Sequence, residues 1–210
     1  MNNKKNILIL APHTDDGEFG CGGSISKLIN SGVSVYYAAF SICEESVPDG
    51  YPKDILEKEV KDSTRSLGIE KNNLFIKNFP VRRFHEFRQE ILDYMIFLKN
   101  EINPDLVFTT SSFDIHQDHK VIHNESLRAF KDRSLLGYEF VWNNFSFTPN
   151  MFITLNEKNL NDKYESIKKY KSQSHRLYLD KDLIYSAAKY RGLQVKKKYA
   201  ESFEILRWII

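Results

Sequence analysis

The feature that most constrains the fold is a series of short aliphatic runs, each too brief for a helix, separated by longer stretches with helical spacing. "NILILA" (6–11) is apolar on both faces, as strands covered from two sides are. "GSISKLINSG" (23–32) reads as a helix ending at Gly32. "VSVYYAAFS" (33–41) is a second strand. Residues 54–67 then place Leu56, Val60, Ser63 and Leu67 on one helical face and stop at Gly68, and "NLFIKNF" (73–79) is a third strand closed by Pro80. From 83 to 102, Phe84, Phe87, Ile91, Met95, Leu98 and Ile102 recur at spacings of three and four. "DLVFTTS" (105–111) is a fourth strand, followed by a helix around "KVIHNESLRAFK" (120–131).

Four rounds of strand and helix predict an α/β fold: a Rossmann-like three-layer sandwich around a mostly parallel sheet. The pattern changes beyond residue 134. "LLGYEFVWN" (135–143) and "MFITL" (151–155) read as strands, 157–172 and 181–191 as helices, and "AESFEILRWII" (200–210) as a final strand or docked segment. "VKKKYA" (195–200) is expected to be solvated surface. A chain of 210 residues suits one domain, 1–210.

Composition removes several function classes. The 30 basic and 28 acidic residues leave a formal charge of +2, too little to favour nucleic acid. Cys21 and Cys43 fit neither a CxxC nor a zinc-ribbon spacing, which argues against a disulfide framework. The start of the chain is basic, but its apolar stretch runs only from Ile7 to Ala11, short of an export signal. No membrane span is visible, so a cytoplasmic location is expected.

In an open parallel sheet, ligands sit outside the carboxyl ends of the strands. "PHTDD" (12–16) and "DIHQDH" (114–119) both occupy such positions, so the sheet can join clusters that lie far apart in sequence. Alone, a strand-to-loop Asp-Asp is as readily a helix cap as a ligand set. Yet three of the six histidines fall in these two loops. A nitrogen from His13, an oxygen from Asp16 and a nitrogen from either His116 or His119 make three protein ligands. That is the open arrangement of a catalytic zinc site, and the nitrogen and oxygen mix suits Zn²⁺ or Fe²⁺. Asp15 can accept a proton from water. A spare histidine can stabilise an oxyanion and pass on a proton, and Asp118 can hold that histidine in one tautomer. Together these parts suffice to hydrolyse an amide.

"APHTDDGEFGCGG" (11–23) with "HQDH" (116–119) resembles the LmbE/PIG-L de-N-acetylases, zinc-dependent enzymes that remove acetyl groups from N-acetylated amino sugars. "NPDLVFTTSS", "EKEVKDSTRSLGI" and "AAKYRGLQVKKKYAESFEILR" extend the similarity along most of the chain. The resemblance implies an LmbE-like fold and metal ligands His13, Asp16 and His119. It implies Asp15 as general base, His116 as oxyanion-stabilising residue and proton shuttle, and Asp118 as the group orienting one of the histidines. The metal is expected to be Zn²⁺, with Fe²⁺ or another divalent ion as the variant. The substrate is expected to be a small N-acetylated amino sugar, free or nucleotide- or lipid-linked, and a homo-oligomer is compatible with the family. The alternative is a non-catalytic or altered relative that keeps the pocket to bind a sugar or partner. Two positions depart from the family motif: Thr14 replaces its usual proline, and Gly17 its usual glutamate, with Glu18 one position later.

Other features have plainer readings. "GEFGCGG" does not fit G-x-G-x-x-G, which sets aside dinucleotide binding. Cys21 is read as a small packed residue, His123 as a surface or supporting helix residue, and His85 and His175 as surface. Trp142 is placed equally between stacking on a sugar and packing in the core. Arg82 and Arg83 can hold a phosphate or nucleotide tail, or simply open a charged helix; the second is favoured.

Overall fold

The computed structural model describes residues 5–210; the first four residues, part of the basic start of the chain, lie outside them. The elements, in chain order, are β1 (Asn6–Ala11), α1 (Asp16–Asn30), β2 (Ser34–Ala39), α2 (Ile55–Leu67), β3 (Leu74–Ile76), α3 (Arg88–Ile102), β4 (Leu106–Thr110), α4 (Gln117–Ala129), β5 (Ser134–Tyr138), β6 (Met151–Leu155), α5 (Glu157–Ile167), α6 (Lys181–Gln194) and β7 (Tyr199–Arg207). Alternation in β1 sends Ile7, Ile9 and Ala11 into one apolar cluster and Leu8 and Leu10 into another. The first cluster is completed by α1, α2, α5 and α6, the second by α3 and α4. Covering both faces is why these strands carry no polar alternation.

One sheet has the order β3-β2-β1-β4-β5-β7-β6. It is parallel from β3 to β5, and β7 pairs antiparallel with both β5 and β6. The chain works outward from β1 to β2 and β3, then crosses to β4 on the other side. The carboxyl ends of β1 and β4 therefore flank the crevice where such sheets bind ligands. Among the described residues, no helix is long and apolar enough to cross a membrane.

Element boundaries differ from the expected ones where glycine or a tight turn overrides the local pattern. Helix α1 begins at Asp16, not 23, and is interrupted at Cys21 (φ −148°, ψ 23°). Its glycines allow close approach: a Cβ on Gly17 would run into the Tyr37 ring, and one on Gly20 into the Tyr138 ring. The two broken ends are fastened from afar. Lys163 Nζ donates to the Phe19 carbonyl (2.6 Å) and to Glu201 (2.7 Å), while Glu201 accepts from the Gly23 and Ser24 N–H groups (3.0 and 2.7 Å). The "QDH" of the second motif forms the first turn of α4 rather than a loop. The strand expected over 135–143 stops at Tyr138, because the Phe140 N–H turns to the Asn144 side chain (2.6 Å) instead of a ladder partner. The 83–102 helix opens with a 3₁₀ turn, Phe84–Phe87, and α5 ends at Ile167 rather than 172. "MFITL" is a strand as read, and the final segment is a strand.

Candidate metal centre and active site

The loop leaving β1 and the start of α4 meet above the crevice, and a cavity of about 400 Å³ there is lined by His13, Asp15, Asp16, His116 and His119. Asp15 occupies the N-cap position of α1, yet its side chain makes no capping hydrogen bond. Capping, the plainer reading of the Asp-Asp pair, therefore does not explain Asp15. The carboxylate of Asp16 turns back over the loop and accepts from the His13 backbone N–H (2.7 Å).

Three donor atoms form a nearly equilateral triangle. His13 Nδ1 lies 3.1 Å from Asp16 Oδ2, His119 Nε2 lies 3.2 Å from the same oxygen, and the two nitrogens are 3.3 Å apart. Metal–donor bonds of about 2.0–2.1 Å in a tetrahedron set neighbouring donors about 3.3 Å apart, so the triangle fits one face of a zinc coordination sphere. The His13, His116 and His119 imidazoles also converge, with one ring nitrogen of each within 4.8 Å of the others, and this three-histidine cluster can coordinate a divalent metal such as Zn²⁺.

Each imidazole is fixed by what holds its far nitrogen. His13 Nε2 faces Asp118 Oδ2 (3.1 Å), leaving Nδ1 for the triangle. His119 Nδ1 faces Asp114 Oδ2 (2.7 Å), leaving Nε2. His116, the N-cap of α4, accepts the Asp118 backbone N–H on Nδ1 (3.2 Å), so its Nε2 carries the proton and can donate. Asp118 thus orients His13, not the spare histidine considered from the residues alone. Asp118 also grips the loop after β3 through the N–H groups of Arg82 (2.5 Å) and Phe84 (3.3 Å). Asp114 was not singled out from the sequence, although its place two residues before His116 put it in the same motif.

The charges of the cluster are strongly coupled. Burial opposes the charge on His13, but Asp16 and Asp118 outweigh it and raise its pKa to about 9. Burial likewise opposes His119, and Asp16 with Asp114 raises it to about 10. Asp16 is penalised by burial but held well below the usual carboxylate range by these two imidazoles. Protons therefore collect where a cation would sit. Asp15 is pushed up to about 6 by burial and by the like charge of Asp16. His116 is pushed down to about 4 by burial and by the neighbouring imidazoles, so it is neutral at pH 7.

The remaining candidates fall in varied places. Cys21 is buried, its Sγ 3.3 Å from the Gly17 carbonyl, a packed residue as expected. His123 is buried rather than on the surface, with Nδ1 on the Thr110 carbonyl (2.9 Å) at the end of β4. His85 and His175 are exposed. Glu18 is not among the residues lining the cavity. It is buried behind the loop against Tyr37, Ser63 Oγ (2.5 Å) and Tyr170 (3.0 Å), where burial raises its pKa to about 7. Trp142 reaches the cavity wall, but one of its faces is covered by Tyr178, stacked at 4.6 Å and 12°. Packing accounts for that face; a sugar has no access to it.

Comparison with known proteins agrees with this geometry. The family model described as PIG-L, GlcNAc-PI de-N-acetylase, matches residues 8–130. An uncharacterized deacetylase of Escherichia coli K12 is 31% identical over 180 residues, 81% of this chain and 93% of that one. A conserved protein of Thermus thermophilus superposes with a TM-score of 0.82 at 23% identity, covering 97% of this chain and 95% of that one. An N,N'-diacetylchitobiose deacetylase of Pyrococcus horikoshii superposes with a TM-score of 0.80 at 21% identity, covering 97% and 84%. The crevice between β1 and β4, the histidine cluster and the family match lead to one statement: this chain belongs to the PIG-L family of metal-dependent de-N-acetylases.

Proposed function

We propose that the protein hydrolyses the N-acetyl amide of a small amino sugar, giving the free amine and acetate, with His13, Asp16 and His119 holding one divalent metal, most simply Zn²⁺. The donor triangle carries this reading. Its edges of 3.1 to 3.3 Å suit a tetrahedral face, and all three residues line the cavity. Asp16 is preferred to His116 as third ligand because the His116 Nδ1 is occupied by a backbone N–H and its Nε2 keeps its proton.

A divalent ion held there supplies Lewis acidity, polarising the amide carbonyl and making water acidic near neutral pH. Asp15, free of any capping bond and with a pKa near 6, takes the proton of the attacking water. His116 donates Nε2–H to the carbonyl oxygen as that oxygen gains charge. Asp15, holding the proton taken from water, can also return it to the leaving nitrogen, the shuttle role that the family resemblance gives to His116. Asp118 and Asp114 act by holding His13 and His119 in orientation.

The test combines metal analysis with turnover. Purified protein is expected to hold about one zinc or iron per chain and to release acetate from N-acetylglucosamine derivatives. Asp16→Ala and His119→Ala are expected to lose both. Full metal occupancy in either variant would remove that residue from the ligand set.

A further inference from the structure

We propose that Tyr37, Tyr170 and Glu18 are positioning residues for the general base: they form a buried brace behind the metal loop that fixes the two peptides flanking Asp15 and Asp16. The inference rests on the de-N-acetylase reading and adds to it side chains that never touch the substrate.

None of the three lines the catalytic cavity, and each is at most 1% exposed. They arrive from separate elements: Tyr37 from β2, Glu18 from α1 and Tyr170 from the segment after α5, joined by Ser63 of α2. Asp15 makes no capping bond, so the place of its carboxylate depends on the backbone that carries it. That backbone is held from behind. The Tyr37 hydroxyl donates to the Thr14 carbonyl (2.9 Å) and accepts from the Gly17 N–H (3.0 Å). The Thr14 oxygen belongs to the peptide leading into Asp15, and the Gly17 N–H to the peptide leaving Asp16. A peptide group is planar, so holding its oxygen or its N–H also holds the Cα atoms at its two ends. One phenol oxygen therefore braces the acid pair from both sides.

Tyr170 donates to the same Thr14 carbonyl (2.7 Å). Glu18 ties the braces together, its carboxyl group meeting the Tyr37 hydroxyl, the Tyr170 hydroxyl (3.0 Å) and Ser63 Oγ (2.5 Å). Gly17 stands in the first turn of α1, where an N–H has no partner within the helix and needs one from outside. The residue type there matters as well. A Cβ at position 17 would run into the Tyr37 ring, so glycine at this departure from the family motif is what admits the phenol.

The experiment uses zinc-loaded protein and reads metal content, turnover of N-acetylglucosamine derivatives and amide hydrogen exchange by NMR. Tyr37→Phe and Tyr170→Phe are expected to lower kcat about 10- to 100-fold, the scale of a small misplacement of a reacting group, with KM and zinc content unchanged. In Tyr37→Phe the Gly17 amide loses its partner, and its exchange should speed up about 10-fold or more relative to the amides of β1. Glu18→Gln keeps one acceptor oxygen and Glu18→Ala none, so kcat should fall less in the first than in the second; the tyrosine variants decide the matter should Glu18→Ala not fold. Tyr138→Phe is the matched control. Its phenol is equally buried but donates to the Leu10 carbonyl of β1 (2.7 Å), ahead of the loop, and the variant is expected to keep both kcat and Gly17 exchange. Tyrosine variants with wild-type kcat, or with a loss no greater than that of Tyr138→Phe, would overturn the proposal. So would a loss that comes entirely from missing zinc or a raised KM. A wild type that turns over no N-acetyl sugar refutes the de-N-acetylase reading, and Gly17 exchange then still decides: acceleration in Tyr37→Phe alone supports the brace. Unchanged Gly17 exchange in that variant overturns it in either case.

Discussion

Asp15→Asn keeps the size of the side chain but removes its ability to take a proton. Since Asp15 is outside the donor triangle, the variant is expected to retain zinc while kcat falls by about 10²- to 10⁴-fold; metal content measured beside turnover checks this. Undiminished turnover at full occupancy would exclude Asp15 as the base. The two histidines of the triangle allow a second prediction at the same scale. In the metal-free protein His13 and His119 are raised to about 9 and about 10, so a cation must displace protons from them. Below those values protons compete for the same nitrogens. Zinc affinity should therefore rise with pH across the range from about 6 to 8, with up to about two protons released per ion, as metal–proton linkage requires. Chelator competition at several pH values checks the slope, and a flat profile would show that these nitrogens do not bind the metal.

At the scale of elements, the broken helix α1 is the unusual piece. Its first turns carry Asp16 to the site, and its second half runs on in a new direction from Gly22. Lys163 and Glu201, both nearly buried, satisfy the break from α5 and β7. Lys163→Met would leave Glu201 buried without its counter-charge and the Phe19 carbonyl without its donor. A loss of about 3–5 kcal/mol is expected, read as a lower midpoint in denaturant. Adding Glu201→Gln should recover part of that loss, because the uncompensated charge is then gone. The glycine-rich stretch is thus a packing device, which is why it carries no nucleotide motif. The loop after β3 is a second case. Its left-handed Arg82 is held by Asp118, so the residue that orients His13 also shapes the neighbouring cavity wall.

At the scale of the molecule, the last strand of the chain lies inside the sheet. β7 is paired on both sides, with β5 and β6, and supplies Glu201 to the break in α1. A chain ended after Lys198 would lose both strand pairings and leave Lys163 buried without its partner. It is expected to show no cooperative thermal transition by circular dichroism, whereas a version shortened only by Trp208, Ile209 and Ile210, which are exposed, should melt as the full chain does. A sharp transition in the longer truncation would mean that β7 is an accessory.

The sequence by itself determined the parallel half of the sheet and the meeting of the two motifs, because a doubly covered strand must be aliphatic throughout and loops at neighbouring carboxyl ends must adjoin. His13, Asp15, Asp16, His116, Asp118 and His119 were legible for that reason, and all of them come together. The sequence left unread whatever depended on a contact between distant residues. It started the helix at residue 23, at the end of "GEFGCGG", whereas the helix begins at Asp16. It could not name Tyr37 and Tyr138 as the rings the glycines approach, or Lys163 with Glu201 as the pair that holds the helix across its break. It showed Asp114 and Asp118 flanking His116 in one motif without saying which histidine either would hold. Only the tertiary structure turned Asp118 to His13 and Asp114 to His119, because hydrogen bonding at a buried site follows direction in space rather than order in the chain.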